Sequence, residues 1–155
     1  MYKLLKKRVN IDEVNLIAKK LSSHIGPGDI ILLKGPLGAG KTTFVRFAIN
    51  SIYENNSLKK PNLIKSPSFP ILINYPINNF EIFHYDFYRI KKNEEFLELN
   101  FYENIKDNIS FVEWPDIIIK ENKIQNFYII KIEIIDLEKR IIEINQTSSK
   151  LINYE

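Results

Sequence analysis

The sequence predicts a three-layer α/β domain with a mixed central sheet and a C-terminal β-hairpin. The continuous apolar run from Ile30 to Leu33 is typical of a strand buried on both faces. Apolar residues recur at helical spacing before and after this run, which supplies helices to cover a sheet. Residues 126–146 alternate around a polar turn and indicate the hairpin. We expect one domain over residues 1–147 and a short tail at 148–155.

Each element rests on a local pattern or a stop signal. Asn10 and Glu13 have capping-box spacing, which marks the start of a helix. A polar loop at 55–67 carries lysines and two prolines. We expect the two long helices to cover opposite faces of the sheet. In chain order the predicted elements are a strand at 2–9, a helix at 11–25, a strand at 30–33, a helix at 41–53, strands at 68–76 and 80–90, a short amphipathic helix at 93–101, a strand that starts at Ile109 and that Pro115 stops, and two hairpin strands around 136–140.

The composition excludes several classes of site and indicates a cytoplasmic protein. The chain has no cysteine and only two histidines, which excludes disulfides and thiolate metal sites and disfavours a histidine-rich cluster. No apolar run approaches the roughly 18 to 20 residues of a membrane span, so we expect no membrane association. The net charge of +3 is lower than a bare nucleic-acid-binding protein usually shows.

The stretch GPLGAGKTT, residues 35–43, matches the Walker A pattern in full and lies between a predicted strand and a predicted helix. Glycines let backbone N–H groups approach phosphates, and the start of the helix adds positive potential. Lys41 is expected to reach the β and γ phosphates, and the Thr42 hydroxyl to bind Mg²⁺. The sequence therefore predicts a P-loop NTPase-like domain that binds a nucleotide through Gly35, Gly38, Ala39, Gly40, Lys41, Thr42 and Thr43.

Phosphoryl transfer also needs a carboxylate near the metal ion and a group that orients the attacking oxygen. Glu113 follows an apolar strand, as a Walker B acid does, although a surface acid at the end of a strand would read the same way. Asp86 ends another strand and is equally compatible with a turn residue. The strand period places His84 on the same face as Asp86, but a packed strand histidine is as consistent with the pattern, so His84 receives no role.

Two other classes of nucleotide protein fit less well. Guanine specificity normally needs an Asn-Lys-x-Asp element, and the nearest match, residues 122–125, ends in Gln. A GTPase Asp-x-x-Gly is also missing, because Asp86 is followed by Phe-Tyr-Arg. A small-molecule kinase would need several arginines in a lid over the phosphates. The chain has only four arginines, at scattered positions: Arg8, Arg46, Arg89 and Arg140.

Taken in order, five segments resemble the TsaE (YjeE) family, the ATPase of bacterial tRNA threonylcarbamoyladenosine (t6A) biosynthesis. They are GPLGAGKTT, SPSF, FHYDFYR, EEFLELNF and FVEWP, and the resemblance covers roughly residues 9–145. It implies that Thr42 and Glu113 bind Mg²⁺, and that Lys41 and the loop backbone hold the phosphates of ATP. It also implies that Asp86 supports hydrolysis.

The resemblance further implies a nucleotide-responsive switch at residues 66–69, with Ser68 beside the nucleotide. The family usually has Thr where this chain has Ser68, and the hydroxyl is retained. From the residues alone, Ser68 also fits a plain Ser-Pro turn. The family tends to place Gly where this chain has Asn100, and Asn is the next most tolerant residue of the left-handed conformation expected there.

Three functions follow from these patterns and from the resemblance, which alone implies the partner complex and the role in tRNA modification, and all three stay open at this stage. The first is a Mg²⁺-dependent ATPase, slow by itself, that acts on a TsaB–TsaD-type partner complex and so serves tRNA indirectly. The second is a nucleotide-gated binding module in which ATP orders the loop at 55–69 and hydrolysis is incidental. The third is a small-molecule kinase.

Overall fold

A computed structural model of the chain describes residues 1–147, so the predicted tail at 148–155 lies outside the described residues. Seven strands and five helices follow one another along this part of the chain. They are β1 (Tyr2–Val9), α1 (Ile11–Ser22), β2 (Ile30–Lys34), α2 (Lys41–Asn55), β3 (Leu72–Pro76), β4 (Glu81–Asp86), α3 (Asn93–Leu97), α4 (Phe101–Asn104), β5 (Ile109–Glu113), α5 (Asp116–Glu121), β6 (Tyr128–Ile134) and β7 (Arg140–Gln146).

All seven strands form one mixed sheet, in the order β1-β7-β6-β2-β5-β4-β3. The four inner strands β6, β2, β5 and β4 run parallel to one another. The hairpin of β6 and β7 is antiparallel, and β1 and β3 close the two edges with antiparallel pairings. The mixed sheet and the C-terminal hairpin predicted from the sequence are therefore confirmed. Because the inner strands are parallel, their carboxyl ends meet at the same edge, where open α/β sheets bind ligands.

Buried side chains alternate along the inner strands and build a core on each face of the sheet. In β2, Ile31 and Leu33 join the core that contains α1 and α2, whereas Ile30 and Leu32 join the core that contains Phe96, Phe101 and Ile118. The three-layer arrangement is confirmed, but the expectation that α1 and α2 cover opposite faces is wrong. These helices pack against each other on one face, and the short helices α3, α4 and α5 cover the other.

The first helix has the predicted start and an earlier end. The Asn10 side chain accepts from the Glu13 backbone N–H, and the Glu13 carboxylate accepts from the Asn10 N–H, so the capping box is confirmed. The helix ends at Ser22 rather than at residue 25. Ser23 Oγ and His24 Nδ1 both bond the carbonyl of Lys20, and such local bonds compete with the backbone ladder of a helix.

Other predicted boundaries also change. The two predicted strands at 68–76 and 80–90 are confined to β3 and β4, because turns occupy their flanks. The predicted helix at 93–101 divides into α3 and α4 at Asn100, whose φ of 50° is the left-handed conformation expected of that position. The prediction lacks helix α5, because it takes Pro115 only as the residue that stops the preceding strand. In the structure Pro115 is also the N-cap residue of α5. No helix among the described residues is long and apolar enough to cross a membrane.

Candidate nucleotide site

The glycine-rich loop connects the end of β2 to the start of α2, as the Walker A pattern requires. Gly35 lies so close to β6 that a β-carbon there would clash with the carbonyl oxygen of Ile132, which explains a glycine at this position. Gly40 is the N-cap of α2 and has a φ of 104°, a left-handed conformation that favours glycine. The first amides of α2 therefore point out of the loop and lack partners within the helix, as at every helix N-terminus.

Lys41 folds back over this loop. Its Nζ donates hydrogen bonds to the carbonyl oxygens of Gly35, at 2.7 Å, and Pro36, at 2.9 Å. The same ammonium group lies 4.0 Å from the centroid of the Trp114 ring, within range of a cation–π interaction. Burial lowers the pKa of Lys41, and the negative charges of Glu113 and Asp86 oppose that shift. The ammonium group is thus held inside the loop, close to two carboxylates.

Thr42 and Glu113 meet across the site. The Thr42 hydroxyl donates a hydrogen bond of 2.8 Å to Glu113 Oε1, although the two residues are 71 positions apart in the sequence. Glu113 ends β5 and is buried, so it is not a solvated surface acid. A hydroxyl and a carboxylate side by side are hard oxygen donors of the kind that Mg²⁺ prefers.

Asp86 ends the neighbouring strand and pairs in register with Glu113. Its carboxylate is buried and accepts a hydrogen bond of 3.0 Å from the Tyr88 backbone N–H. Burial raises the pKa of Asp86, and the charge of Glu113 raises it further, while the Tyr88 hydrogen bond, His84 and Lys41 act in the opposite direction. A carboxylate with a raised pKa is a better proton acceptor than an exposed one.

His84 lies two residues before Asp86 on the same face of β4 and is fully buried. Its Nε2 is 2.8 Å from Glu113 Oε1, the oxygen that also accepts from Thr42. The strand period correctly groups His84 with Asp86, but it cannot reveal the contact with Glu113. That contact depends on the register between β4 and β5, which places the two strand ends side by side.

The predicted switch residues lie at the rim of the site. Ser66 Oγ and Ser68 Oγ are 2.7 Å apart and form a hydrogen bond. Phe69 is 85% exposed, and the Arg89 guanidinium lies 4.6 Å from its ring centroid. Glu94 and Glu95 are the nearest acidic residues after Arg89 in the sequence, but within residues 1–147 Arg89 forms no ion pair with either. Arg89 instead contacts Phe69 of the switch segment.

Lys41, Thr42, Asp86 and Glu113 line one cleft of about 270 Å³ at the carboxyl edge of the sheet, together with Ser66 and Ser68. The predicted site residues all line this cleft except Gly35 and Ala39. Gly35 packs against β6 behind the loop, and Ala39 faces a second cavity on the other side of the loop. The cleft is lined by Leu37, Gly38, Gly40, Lys41, Thr42, Thr43, Ser66, Ser68, Asp86, Glu113 and Trp114.

The structure adds two residues to which the sequence assigns no role. Trp114, the only tryptophan, has a left-handed φ of 56° that turns the chain from β5 into α5 and brings its ring under Lys41. Arg140 Nε donates to the carbonyl oxygen of Ala39 at 3.1 Å, so the hairpin contacts the glycine loop. No local signal could have revealed this contact, because 101 positions separate the two residues. Arg140 also lines the second cavity, which measures about 580 Å³.

The fold and the site together define a class: an α/β protein in which a Walker A loop joins a central parallel strand to a helix beside two strand-end carboxylates. The family profile described as "Threonylcarbamoyl adenosine biosynthesis protein TsaE" matches residues 9–143. The chain therefore belongs to the TsaE family of t6A biosynthesis proteins, as its motifs indicate.

Individual relatives agree with this assignment. The "tRNA threonylcarbamoyladenosine biosynthesis protein TsaE" of Rickettsia felis is 40% identical over 147 residues, a match that covers 94% of this chain and 82% of the relative. The protein of that name from Bacillus subtilis is 34% identical and covers 76% of this chain and 70% of the relative. The crystal structure of Bacillus subtilis YdiB superposes with a TM-score of 0.69 at 28% identity, and covers 97% of this chain and 90% of that one.

Proposed function

We propose that this chain is a Mg²⁺-dependent ATPase of t6A biosynthesis, acting in the cytoplasm on a TsaB–TsaD-type partner complex. The observation that carries the proposal is the hydrogen bond between Thr42 and Glu113, which joins the first turn of α2 to the end of β5 beside the glycine loop. This brings together the hydroxyl and the acid that a Walker A and a Walker B segment contribute to a metal ion. Neither residue can make this arrangement without the other.

The donor set fits a magnesium ion that arrives with a nucleotide. Among the described residues no group of three His, Cys, Asp or Glu side chains could hold a metal. Mg²⁺ commonly uses one or two protein ligands and takes the remaining oxygens from phosphates and water. Thr42 and Glu113 would be those protein ligands, and the ion would neutralise charge on the phosphates. The metal therefore belongs to the nucleotide complex rather than to the protein alone.

Two residues have defined tasks in hydrolysis. Lys41 would leave the carbonyls of Gly35 and Pro36 and bind the β and γ phosphates, joined by the free amides of the loop. Asp86 would orient a water molecule and accept its proton, for which a raised pKa is suited. The water oxygen bonds to the γ-phosphorus as the bond to the β,γ-bridging oxygen breaks, which yields ADP and inorganic phosphate.

The second cavity supplies a place for the nucleoside. It shares Gly38, Gly40 and Thr43 with the metal side of the loop but opens away from Glu113. A nucleotide whose γ-phosphate lies beside Glu113 must extend its base in the opposite direction. The start of α1 and the hairpin form the walls of this cavity, which offer apolar surface for a ring and polar groups for its edge: Asn10, Ile11, Asp12, Val14, Ile132, Leu137, Glu138, Arg140 and Ile142.

The isolated protein should turn over ATP slowly, because no arginine among residues 1–147 lines the cleft. An arginine that reaches the γ-phosphate can supply about 10³- to 10⁵-fold in rate. Exposed apolar side chains around the cleft, at Leu37, Phe69 and Tyr88, favour a protein partner that completes the site. The Ile71 carbonyl accepts from the Asp86 N–H, and the Ile71 N–H donates to the Pro67 carbonyl, so the switch segment is tied to the catalytic strand.

Substitutions in the loop test the nucleotide site. Lys41→Ala should abolish productive ATP binding, because the backbone cradle remains but the charge on the phosphates is lost. Thr42→Ala and Glu113→Gln should weaken the Mg²⁺ dependence of binding and lower turnover by about 100-fold or more. Binding is measured by titration calorimetry, and turnover by phosphate release, with Lys120→Ala as a control outside the cleft. Wild-type turnover by Lys41→Ala, in a preparation free of contaminating ATPase, would reject the assignment.

Partner binding tests the switch. ATP should strengthen docking of the TsaB–TsaD-type complex, because a γ-phosphate beside Ser68 orders the segment that carries the exposed Phe69. The partner must then tighten ATP binding by the same factor. The measurement is calorimetry of the partner complex against protein loaded with ADP or with a non-hydrolysable ATP analogue. Equal affinities in the two states would rule out the switch, and phosphate transfer to an added small molecule would favour a kinase.

A further inference from the structure

His84 has a buried polar atom that packing does not explain. The side chain is fully buried on β4, and its Nδ1 has no hydrogen-bond partner among residues 1–147. An unpaired ring nitrogen in the interior has a free-energy cost, whereas an apolar side chain would fill the same space without one. Within the described part of the chain, the hydrogen bond of this ring is the one between Nε2 and Glu113.

That contact has one consistent direction. An ionised carboxylate can only accept hydrogen bonds, so Nε2 carries a proton and donates it to Glu113 Oε1. The same oxygen accepts from Thr42. One oxygen of Glu113 is thus fixed from two sides, by the strand β4 through His84 and by the helix α2 through Thr42.

We propose that His84 is a positioning residue, which holds the Glu113 carboxylate in place when a Mg²⁺–nucleoside triphosphate complex binds. This inference rests on the proposed function. Once the Thr42 hydroxyl turns its oxygen to the ion, its hydrogen bond to Glu113 is no longer the constraint. The donor on β4 remains, because a buried imidazole within a sheet cannot rotate freely. Hydrogen-bond partners behind a metal ligand commonly change metal affinity or activity by about 10- to 100-fold when they are removed.

The test compares nucleotide affinity with Mg²⁺ and with a chelator, because a positioning role acts on the metal-dependent part alone. His84→Leu removes the donor and keeps an apolar volume, while His84→Gln can return an amide donor to Glu113. Ile82→Val is the matched control, since Ile82 is buried on the same face of the same strand and pairs in register with Ile109 rather than with Glu113. Binding of a non-hydrolysable ATP analogue is followed by the fluorescence of Trp114, which Lys41 contacts, and by calorimetry.

In His84→Leu we expect the gain in affinity from Mg²⁺ to fall by about tenfold or more, with little change in the metal-free affinity. His84→Gln should restore part of the gain, and Ile82→Val should keep all of it. In a Glu113→Gln background, His84→Leu should have no further effect. A Mg²⁺ gain that survives His84→Leu would overturn the role of His84 alone. A wild-type affinity indifferent to Mg²⁺ would overturn the proposed function and, with it, this metal-directed role.

A spectroscopic measurement on the unmodified site does not depend on whether the variants fold. The chain has only two histidines, so His24→Ala leaves a single imidazole at His84. Nitrogen chemical shifts of that ring should show a protonated Nε2 in metal-free protein, and this proton should remain when the Mg²⁺–nucleotide complex binds. Protonation at Nδ1 with a bare Nε2 would overturn the proposal.

Discussion

The strand β4 contributes side chains to two regions of the molecule, the cleft on one face of the sheet and a group of packed aromatic rings on the other. On one face it presents Ile82, His84 and Asp86 toward the glycine loop, and on the other it presents Phe83 and Tyr85 toward α3 and α4. The second region is a group of packed rings, here called the aromatic cluster: Tyr85, Phe87, Phe96, Phe101 and Tyr102, with neighbouring centroids 5.2 to 5.9 Å apart. Because alternate side chains of a strand point to opposite faces of the sheet, β4 contributes to both the cleft and the aromatic cluster.

The two regions treat buried polar groups differently. In the aromatic cluster, burial raises the pKa of Tyr85 to about 12, and its hydroxyl remains neutral and accepts a hydrogen bond from Asn104 Nδ2. In the cleft, burial shifts the pKa of Lys41 downward and that of Asp86 upward, so both charged forms are disfavoured by their surroundings. Packing in the aromatic cluster therefore stabilises the fold, whereas burial in the cleft disfavours the charged forms of the side chains that the proposed function needs.

The largest effect is expected from removing a ring of the aromatic cluster. Phe101 is buried and contacts four other aromatic rings, so Phe101→Ala should lower the free energy of unfolding by about 3 to 5 kcal/mol. Because the sheet separates this cluster from the cleft, the folded variant should still bind ATP with wild-type affinity. Urea denaturation measures the first quantity and calorimetry at low temperature the second.

Phe101→Leu is the graded control, since it leaves a smaller cavity and should destabilise the protein less. A folded Phe101→Ala protein that had lost ATP affinity would break the separation between the two regions. It would mean that packing behind β4 sets the positions of His84 and Asp86 on the front.

Sequence reasoning reaches local features of both regions and fails where partners are distant. The capping box at Asn10 is set by neighbouring residues and is predictable from them, and the left-handed conformation of Asn100 is predictable from the glycine that the family tends to place there. That α1 and α2 share a face was not, because an amphipathic pattern shows that a helix has an apolar side without showing which layer receives it.

The candidate site likewise combines a local feature that the sequence predicts with distant contacts that it does not. The loop from Gly35 to Thr43 is contiguous, so its form could be predicted from the pattern alone. The contacts between His84 and Glu113 and between Arg140 and Ala39 depend on strand order and register, which bring together residues 29 and 101 positions apart. Without the order in which β6, β2, β5 and β4 lie, neither contact follows from the sequence.

A substitution in the cleft should change the free energy of unfolding by less, and in the opposite direction. In metal-free protein at neutral pH, Asp86→Asn should raise the free energy of unfolding by about 1 kcal/mol while ATP turnover falls. Asparagine removes the buried charge, and its Oδ1 can still accept from the Tyr88 N–H. Urea denaturation and phosphate release measure the two quantities.

The dependence on pH identifies the cause of this gain. Burial places the pKa of Asp86 in the folded protein above its value in the unfolded chain. The stability that Asp86 contributes is therefore fully present below the unfolded pKa and is lost as the pH rises through the folded pKa. Asparagine does not titrate, so the stability of Asp86→Asn relative to wild type should increase across that window and then level off, in a series from about pH 3 to pH 8. The exposed Asp107→Asn should show no such increase. A difference that is constant with pH, or that shrinks as the pH rises, would mean that Asp86 is not destabilised by burial of its charge.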